Sequence, residues 1–463
     1  MEKSNLKIYN TLTGKKDVLK PIKNKQINMF VCGPTVYDYS HIGHAKLFVT
    51  FDAFAKYLRH FGYKVFYLQN ITDIDDKIIL RAKERGVSPK NLADAFTKEY
   101  LKNMKELGVD AVSKYAPATK YIKEIISQVK RLIEKGCAYI IEGDGVYYNI
   151  SKFKNYGKLA GRTALSAEDA VSRIDYSSKK INRGDFCLWK FRQDDLEPGW
   201  TSTWGEGRPG WHIEDTAITE KFFGAQYDIH GGAIELIFHH HEAEISQMEA
   251  ISGKTPMVKY WMHVGFLTVN SQKMSKSLGN FITISDFIKR YSAQQLRFLI
   301  VKNLWSSPLD YSDSAMIEVR AAMEKIENFL LKIKKQNSKS KIDSKLLKNL
   351  KINFYAELND NFNTPKAFAV LFDFIKETNI NGVSKSDAQK IYKFFEEINK
   401  IFGIIDFKKI SVKIPQNIKK LADQREKFRK EKNWQKSDEL RKQIEKQGFT
   451  VEDTFAGPVL KKI

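Results

Sequence analysis

Apolar residues first gather in a short run, Met29-Phe30-Val31-Cys32, closed by Gly33-Pro34. From Gly43 the spacing changes: Phe48, Phe51, Phe54 and Leu58 recur at helical intervals, and Val65-Phe66-Tyr67-Leu68 then restores a strand-like run. Strand, helix and strand at that distance read as a βαβ unit, which implies a parallel sheet with right-handed crossovers. Residues 1–120 are expected to form a doubly wound α/β unit.

From Tyr121 to Pro209 the pattern breaks into one helix, Ile122 to Lys135, short β-like pieces such as Gly145-Val146-Tyr147-Tyr148, and polar turns. An insertion into the sheet, 121–209, accounts for this. Sheet-like signals return at Tyr227-Asp228-Ile229-His230-Gly231-Gly232, followed by a helix to Ile251. Beyond Tyr311 the period is helical: Ala315 to Ile333, Leu346 to Leu358, Pro365 to Thr378 and Ser386 to Ile401 predict a helical bundle over 318–407. Lys334 to Lys341 is a polar, low-complexity linker inside it.

A chain of 463 residues with 42% apolar content has material for about two to four domains, each with its own core. No run of eighteen apolar residues occurs and the N-terminus lacks a secretory leader, so an unexported, cytoplasmic protein without a membrane span is expected. Cys32, Cys137 and Cys187 are odd in number and far apart, unlike a disulfide framework. Lys+Arg 77 against Asp+Glu 55 leaves a net charge of +22, which favours a polyanionic partner, nucleic acid ahead of membrane. The segment 408–463 is the most basic, with 16 Lys/Arg against 8 Asp/Glu.

Two short motifs carry phosphate chemistry. His41-Ile42-Gly43-His44 enters a helix, where free backbone N–H groups and the helix dipole attract anions and Gly43 permits close approach. Lys273-Met274-Ser275-Lys276-Ser277 sets two lysines in a loop suited to gripping a triphosphate. In this order, on either side of a split sheet, the pair resembles the signatures of class I aminoacyl-tRNA synthetases. Further segments narrow the resemblance: Phe30-Val31-Cys32-Gly33-Pro34-Thr35-Val36-Tyr37-Asp38, Asn70-Ile71-Thr72-Asp73-Ile74-Asp75-Asp76-Lys77, Trp204 to Glu214, and Asp228-Ile229-His230-Gly231-Gly232 are similar to cysteinyl-tRNA synthetases.

The resemblance implies a Rossmann-like catalytic domain in two halves, 1–120 and 210–260, split by a connective insertion. It also implies a region 261–317 holding the lysine loop and contacting the acceptor stem, the helical bundle, and an anticodon-binding domain at 408–463. The implied activity joins L-cysteine to tRNA(Cys) through a cysteinyl-adenylate, with ATP and Mg²⁺ as substrate, in a monomer. His41 and His44 would stabilise the α-phosphate, and Lys276, assisted by Lys273, the leaving pyrophosphate. Gly43, His230, Gly231, Gly232 and Glu235 would lie along ATP, and Thr35 and Trp211 beside the amino acid.

The family also holds one Zn²⁺, whose affinity for a thiolate separates cysteine from serine. Cys32, His240 and Glu244 fall on three ligand positions, while Asp215 stands where the family has a second cysteine. Either a Cys-Asp-His-Glu site keeps the metal, or metal affinity has fallen or been lost. His239 and His241 flank His240 and either could stand in as a donor; neighbours on a helix point about 100° apart, so at most one of the three is expected to project straight into the site, and His240 is the one the resemblance implies. In the tail, Arg425, Arg429 and Lys430 would contact tRNA phosphates and Trp434 would stack on a base. Two alternatives are a ligase joining cysteine to an amino sugar, which would lack the basic tail, and an inactive RNA-binding paralogue, which would not need both phosphate motifs.

Overall fold

The computed structural model describes residues 6–161, 177–194, 197–275, 278–335, 344–381, 383–411, 415–454 and 457–462. Five strands form the central sheet: β1 (Gln26–Val31), β2 (Lys64–Ile71), β3 (Lys114–Pro117), β4 (Tyr227–Ala233) and β5 (Val258–Val264). All are parallel and their spatial order is β5-β4-β1-β2-β3. From β1 the chain winds outward through β2 and β3, then returns to the other side through β4 and β5. The order therefore reverses between β1 and β4, and in open α/β sheets ligands bind beyond the carboxyl ends of the strands at that point. β3 has too few apolar residues (Lys114-Tyr115-Ala116-Pro117) to stand out in the sequence; it is recruited by pairing with β2.

Alternation along β1 divides its side chains between two cores. Ile27, Met29 and Val31 join the core that contains helix α1 (Ile42–His60), whereas Phe30 and the following Cys32 face the opposite core. That second face is covered by α2 (Ile213–Phe223) and α3 (Glu242–Ser252), which contribute Ile218, Ile245 and Met248. A period of two thus aims Cys32 at the two helices that carry Asp215 and Glu244.

Between β3 and β4 lie the helix Ile122–Glu134 and a four-stranded antiparallel sheet built from Ala138–Ile141, Gly145–Tyr148, Phe186–Phe191 and Gly207–Pro209. After β5 comes a small hairpin, Leu267–Val269 with Gln272–Lys273, and then the helices Asp313–Lys335, Ser344–Asn359, Thr364–Asn381 and Lys385–Phe402. This bundle shares one core with α1: Phe362 packs on Phe54 and Tyr57, and Phe402 stacks on Phe362. Of the polar linker Lys334–Lys341, only Lys334 and Lys335 are described, as the end of a helix. The tail forms two helices, Gln416–Lys430 and Trp434–Lys446, and a hairpin, Phe449–Thr454 with Gly457–Lys462, around a small core of Ile418, Ala422, Ile444, Phe449, Val451 and Leu460. Among the described residues no helix is long and apolar enough to cross a membrane.

Candidate active site

The loop leaving β1 delivers His41 to the N-cap of α1. Its Nδ1 accepts from Gly43 N at 3.1 Å, and His44 Nδ1 accepts from His41 N at 3.3 Å, a capping box made of two histidines. With Nδ1 engaged as acceptor, the proton of each neutral ring sits on Nε2. Burial pushes His41 down to about 4 and His44 well below the ordinary histidine range, so both rings are neutral donors at pH 7. The rings stack with centroids 3.8 Å apart. They line a cavity of about 320 Å³ together with Thr35, Tyr37, Phe96, Tyr100, Met274 and Ser275. The first-turn amides are spent on the cap and on Ile282 O, so the two Nε2–H donors and the positive helix end give this wall the chemistry of an anion site.

The second cluster forms where Cys32 meets α2 and α3. Asp215 Oδ2 lies 3.7 Å from Cys32 Sγ and 3.1 Å from His240 Nε2, and Glu244 Oε1 is 3.1 Å from the same nitrogen. His240 and Glu244 are one turn apart, so both reach the same point. His241 also points inward, with Nε2 3.1 Å from Cys32 Sγ. Four donors, from Cys32, His240, His241 and Glu244, lie within 4.8 Å of one another.

The inward position of His241 departs from the helical-neighbour expectation. Phe238, just ahead of the run, is extended at φ −130, ψ 125, while His241 itself is helical at φ −70, ψ −28, so His240 and His241 reach the centre from adjacent positions. His239 instead packs edge-on against His212. Each inward ring is oriented from behind, His240 by His212 at 2.7 Å and His241 by His263 at 2.8 Å, which in turn meets Thr11 at 2.7 Å. Such outer bonds fix which nitrogen faces the centre.

The donor set suits a cation. Burial pushes the Cys32 thiol well up, reinforced by Asp215 and Glu244, and it raises Glu214 and Glu244, each further raised by Asp215. Among the described residues, Asp215 Oδ1 and both Glu244 oxygens accept no hydrogen bond although fully buried. Buried anionic groups without donors are costly unless a positive charge joins them. Thiolate, imidazole and carboxylate together match a zinc-type site.

Other expected positions fall as follows. Trp211 stacks on His240 at 4.3 Å, and Thr35 bridges to Thr72, whose hydroxyl donates to Glu214. Thr72, His212 and Glu214 stand in the motif segments quoted from the sequence but were given no role there, and His263 was not singled out. Gly231 and Gly232 are buried at the end of β4, where an added Cβ would meet the Phe51 ring at 2.2 Å and the His241 ring at 2.6 Å. His230, expected along the nucleotide, has its Nε2 3.3 Å from Cys32 Sγ and its Nδ1 on Tyr227, placing it with the thiol instead. Glu235 and Lys273 are exposed, and Lys276 lies outside the described residues.

In the tail, Arg425 is not at the surface. Its side chain is 1% exposed and grips Asp453 with both guanidinium nitrogens, at 2.5 and 3.0 Å, so it ties helix to hairpin. Arg429 shares Asp453 at 3.0 Å and lies over Trp434 at 5.6 Å. Trp434 is 56% exposed and Lys430 is exposed.

Comparison with known proteins agrees with this layout. The model of the tRNA synthetases class I (C) catalytic domain matches residues 18–321, and that of the DALR domain matches 353–406. Among solved structures, methionyl-tRNA synthetase from Mycobacterium tuberculosis with methionyl-adenylate superposes at TM-score 0.59 and 13% identity, covering 81% of this chain and 88% of that one. The LeuRS–tRNA–LeuAMS complex from Agrobacterium radiobacter gives TM-score 0.62 at 11% identity over 83% of this chain and 85% of that one. Those likenesses carry the fold. Proteins named cysteine–tRNA ligase from Thermococcus gammatolerans and Methanococcus maripaludis are 41% and 43% identical, each over 99% of both chains. The one from Thermoplasma acidophilum is 44% identical over 97% of this chain and 98% of its own. With identity sustained from end to end, and the catalytic-domain match spanning the sheet, the capped helix and the thiol cluster, the chain belongs to the cysteine–tRNA ligase family of class I aminoacyl-tRNA synthetases.

Proposed function

We propose that the protein activates L-cysteine with ATP and transfers it to the 3′-terminal adenosine of tRNA(Cys), releasing AMP and pyrophosphate. The observation that carries this reading is the buried Cys32–Asp215–His240–His241–Glu244 cluster at the sheet's switch point, on the same β1 that leads into the histidine-capped helix. One end selects a thiol; the other holds phosphate.

In the first step the cysteine carboxylate attacks the α-phosphorus of ATP in line and pyrophosphate leaves. His41 and His44 donate their Nε2 hydrogens to the α-phosphate oxygens, and Lys276, assisted by Lys273, neutralises the leaving pyrophosphate. The rings are fixed in tautomer and orientation before substrate arrives, so they stabilise developing charge without reorganising. Gly231 and Gly232 let the Phe51 and His241 rings pack against the end of β4, and Glu235 lies in the segment given to the nucleoside. Thr35 and Trp211 flank the amino acid, and Trp211 is held in place by its stack on His240.

Zinc is the metal we assign to Cys32, Asp215, His240 and Glu244, with His241 as the additional nitrogen; when bound, it prefers a soft thiolate to a hydroxyl, which separates cysteine from serine. In the second step the tRNA enters with its acceptor end at the same site and its anticodon at the basic tail. Trp434 offers a stacking face, and Arg429 and Lys430 offer phosphate contacts; Arg425 serves the domain's fold. The test is charging of a tRNA(Cys) transcript with labelled cysteine. Acceptance of cysteine by that transcript, and not by a tRNA of another specificity, supports the reading, and absence of ester-linked cysteine refutes it.

A further inference from the structure

Lys46 sits on α1 five residues beyond His41, in a helix whose neighbouring positions are apolar and buried, and it is itself 2% exposed. Its ammonium donates to three carbonyl oxygens, Gly265 at 2.8 Å, Phe266 at 2.9 Å and Ser307 at 2.7 Å. All three donors are matched, and none goes to a carboxylate. A buried ammonium held by carbonyls alone is an expensive arrangement, and burial pushes Lys46 down to about 7, with Glu235 opposing only in part. A neutral, apolar residue would be the cheaper filler, so the position of those carbonyls needs another reason.

That reason lies in what the carbonyls begin. Gly265 and Phe266 are the entry to the hairpin that carries Lys273 and leads to Met274 and Ser275. Gly265 is packed so closely on this joint that a Cβ would come 2.5 Å from Ser307 O. The far end of the loop returns to the same helix: Ile42 N donates to Ile282 O at 3.1 Å, Ile284 N donates to Ser40 O at 2.9 Å, and the Phe281 ring meets the His41 ring at 5.3 Å. Chain entering and chain leaving are thus both fastened to the element that bears His41 and His44. The exit is fastened to the start of the helix by backbone bonds. The entry is tied to the segment 305–311 by backbone bonds, Gly265 N to Trp305 O at 3.1 Å and Leu309 N to Phe266 O at 2.9 Å, and both of these are hydrogen-bonded to the helix itself through Lys46.

We propose that Lys46 is a positioning residue for cysteine activation: it fixes the pivot of the Lys273-bearing loop relative to the His41–His44 wall. It touches no substrate and acts through the loop. This rests on the phosphate roles given above to His41, His44 and Lys273. Holding both motifs to one helix sets their spacing across the triphosphate, and a displacement on the order of 1 Å in such a contact costs about a hundredfold in rate.

The experiment is cysteine-dependent ATP–pyrophosphate exchange on the full-length protein, comparing wild type with Lys46→Met and, as a second route to the same joint, Gly265→Ala. Met keeps length and removes the donors; Ala keeps the ammonium and pushes the carbonyls away. For either variant, kcat per folded molecule is expected to fall about tenfold to a hundredfold while KM for cysteine stays within about twofold, because the loop acts on the leaving pyrophosphate and not on the amino acid. A residue with a purely structural role would lower the folded fraction and the melting temperature but leave kcat per folded molecule intact. A loss in kcat smaller than about tenfold in the variant that folds overturns the proposal. Exchange that is absent in the wild type itself overturns the reading of function on which the proposal stands.

Discussion

Asp215→Asn is expected to have effects of opposite sign with and without metal. Asp215 and Glu244 each place an oxygen 3.1 Å from His240 Nε2, so the two oxygens are no more than about 6 Å apart. At that separation two full charges repel by roughly 3 kcal/mol at an effective dielectric of 20. Glu244 already binds its proton more tightly because of burial and of Asp215, which relieves part of this repulsion. Neutralising Asp215 should therefore stabilise the metal-free protein by about 1 kcal/mol. The same change removes an anionic donor from the cation site, and zinc affinity should fall by about a hundredfold, or roughly 2.7 kcal/mol. Urea unfolding followed by tryptophan fluorescence, in chelator and then at fixed free zinc, reads both, since a ligand that binds only the folded state adds RT ln(1 + [L]/Kd) to its stability. The variant should be the more stable protein in chelator and the less stable one in zinc. A variant destabilised in chelator, with zinc affinity unchanged, would show Asp215 to be a structural acceptor for Cys32 and His240 and refute the charge argument.

Two further predictions concern other parts of the molecule. His41 is ordinary in the unfolded chain but pushed down to about 4 when folded, so its contribution to stability is fully present above about pH 6.5 and is lost as pH falls from 6.5 toward 4, by about 1.4 kcal/mol per unit. His41→Asn keeps an N-cap acceptor without the titration, and between pH 7.5 and 5.5 it should lose about 1 kcal/mol less stability than wild type in the same denaturation assay; parallel pH curves would sink the assignment. Arg425→Met should melt the small tail domain, costing about 2–3 kcal/mol after discounting for the partial exposure of Asp453. Cysteine activation should survive and tRNA charging should drop; lowered tRNA affinity with an intact tail fold would instead make Arg425 an RNA contact.

The legible parts of the molecule were those written locally. Met29–Cys32 and Val65–Leu68 announce the parallel core because apolar runs closed by glycine and proline are strand signals at short range, and the bundle helices follow from their apolar period. The set Cys32, Asp215, His240 and Glu244 came from the family resemblance, and strand alternation with the i, i+4 pair is the physical reason that the four side chains meet. Parts that depend on irregular backbone or distant partners were not legible. The inward position of His241 depends on Cys32 and His263, 209 and 22 residues away, which no periodicity encodes. The His41–His44 capping box uses residues outside the usual Ser/Thr with Glu/Gln pattern. Lys46 reads as a solvated lysine until the chain brings Gly265 and Ser307, 219 and 261 residues away, onto it. Arg425 reads as a basic contact until Asp453 closes over it.

In the proposed reaction one site both selects a thiol and activates the carboxylate beside it. Cysteine-dependent ATP–pyrophosphate exchange on the purified, metal-loaded protein, with serine at equal concentration as control, tests it most directly. Exchange with cysteine that exceeds exchange with serine by about a thousandfold or more is the predicted result. No exchange with cysteine, or comparable exchange with serine, would contradict it.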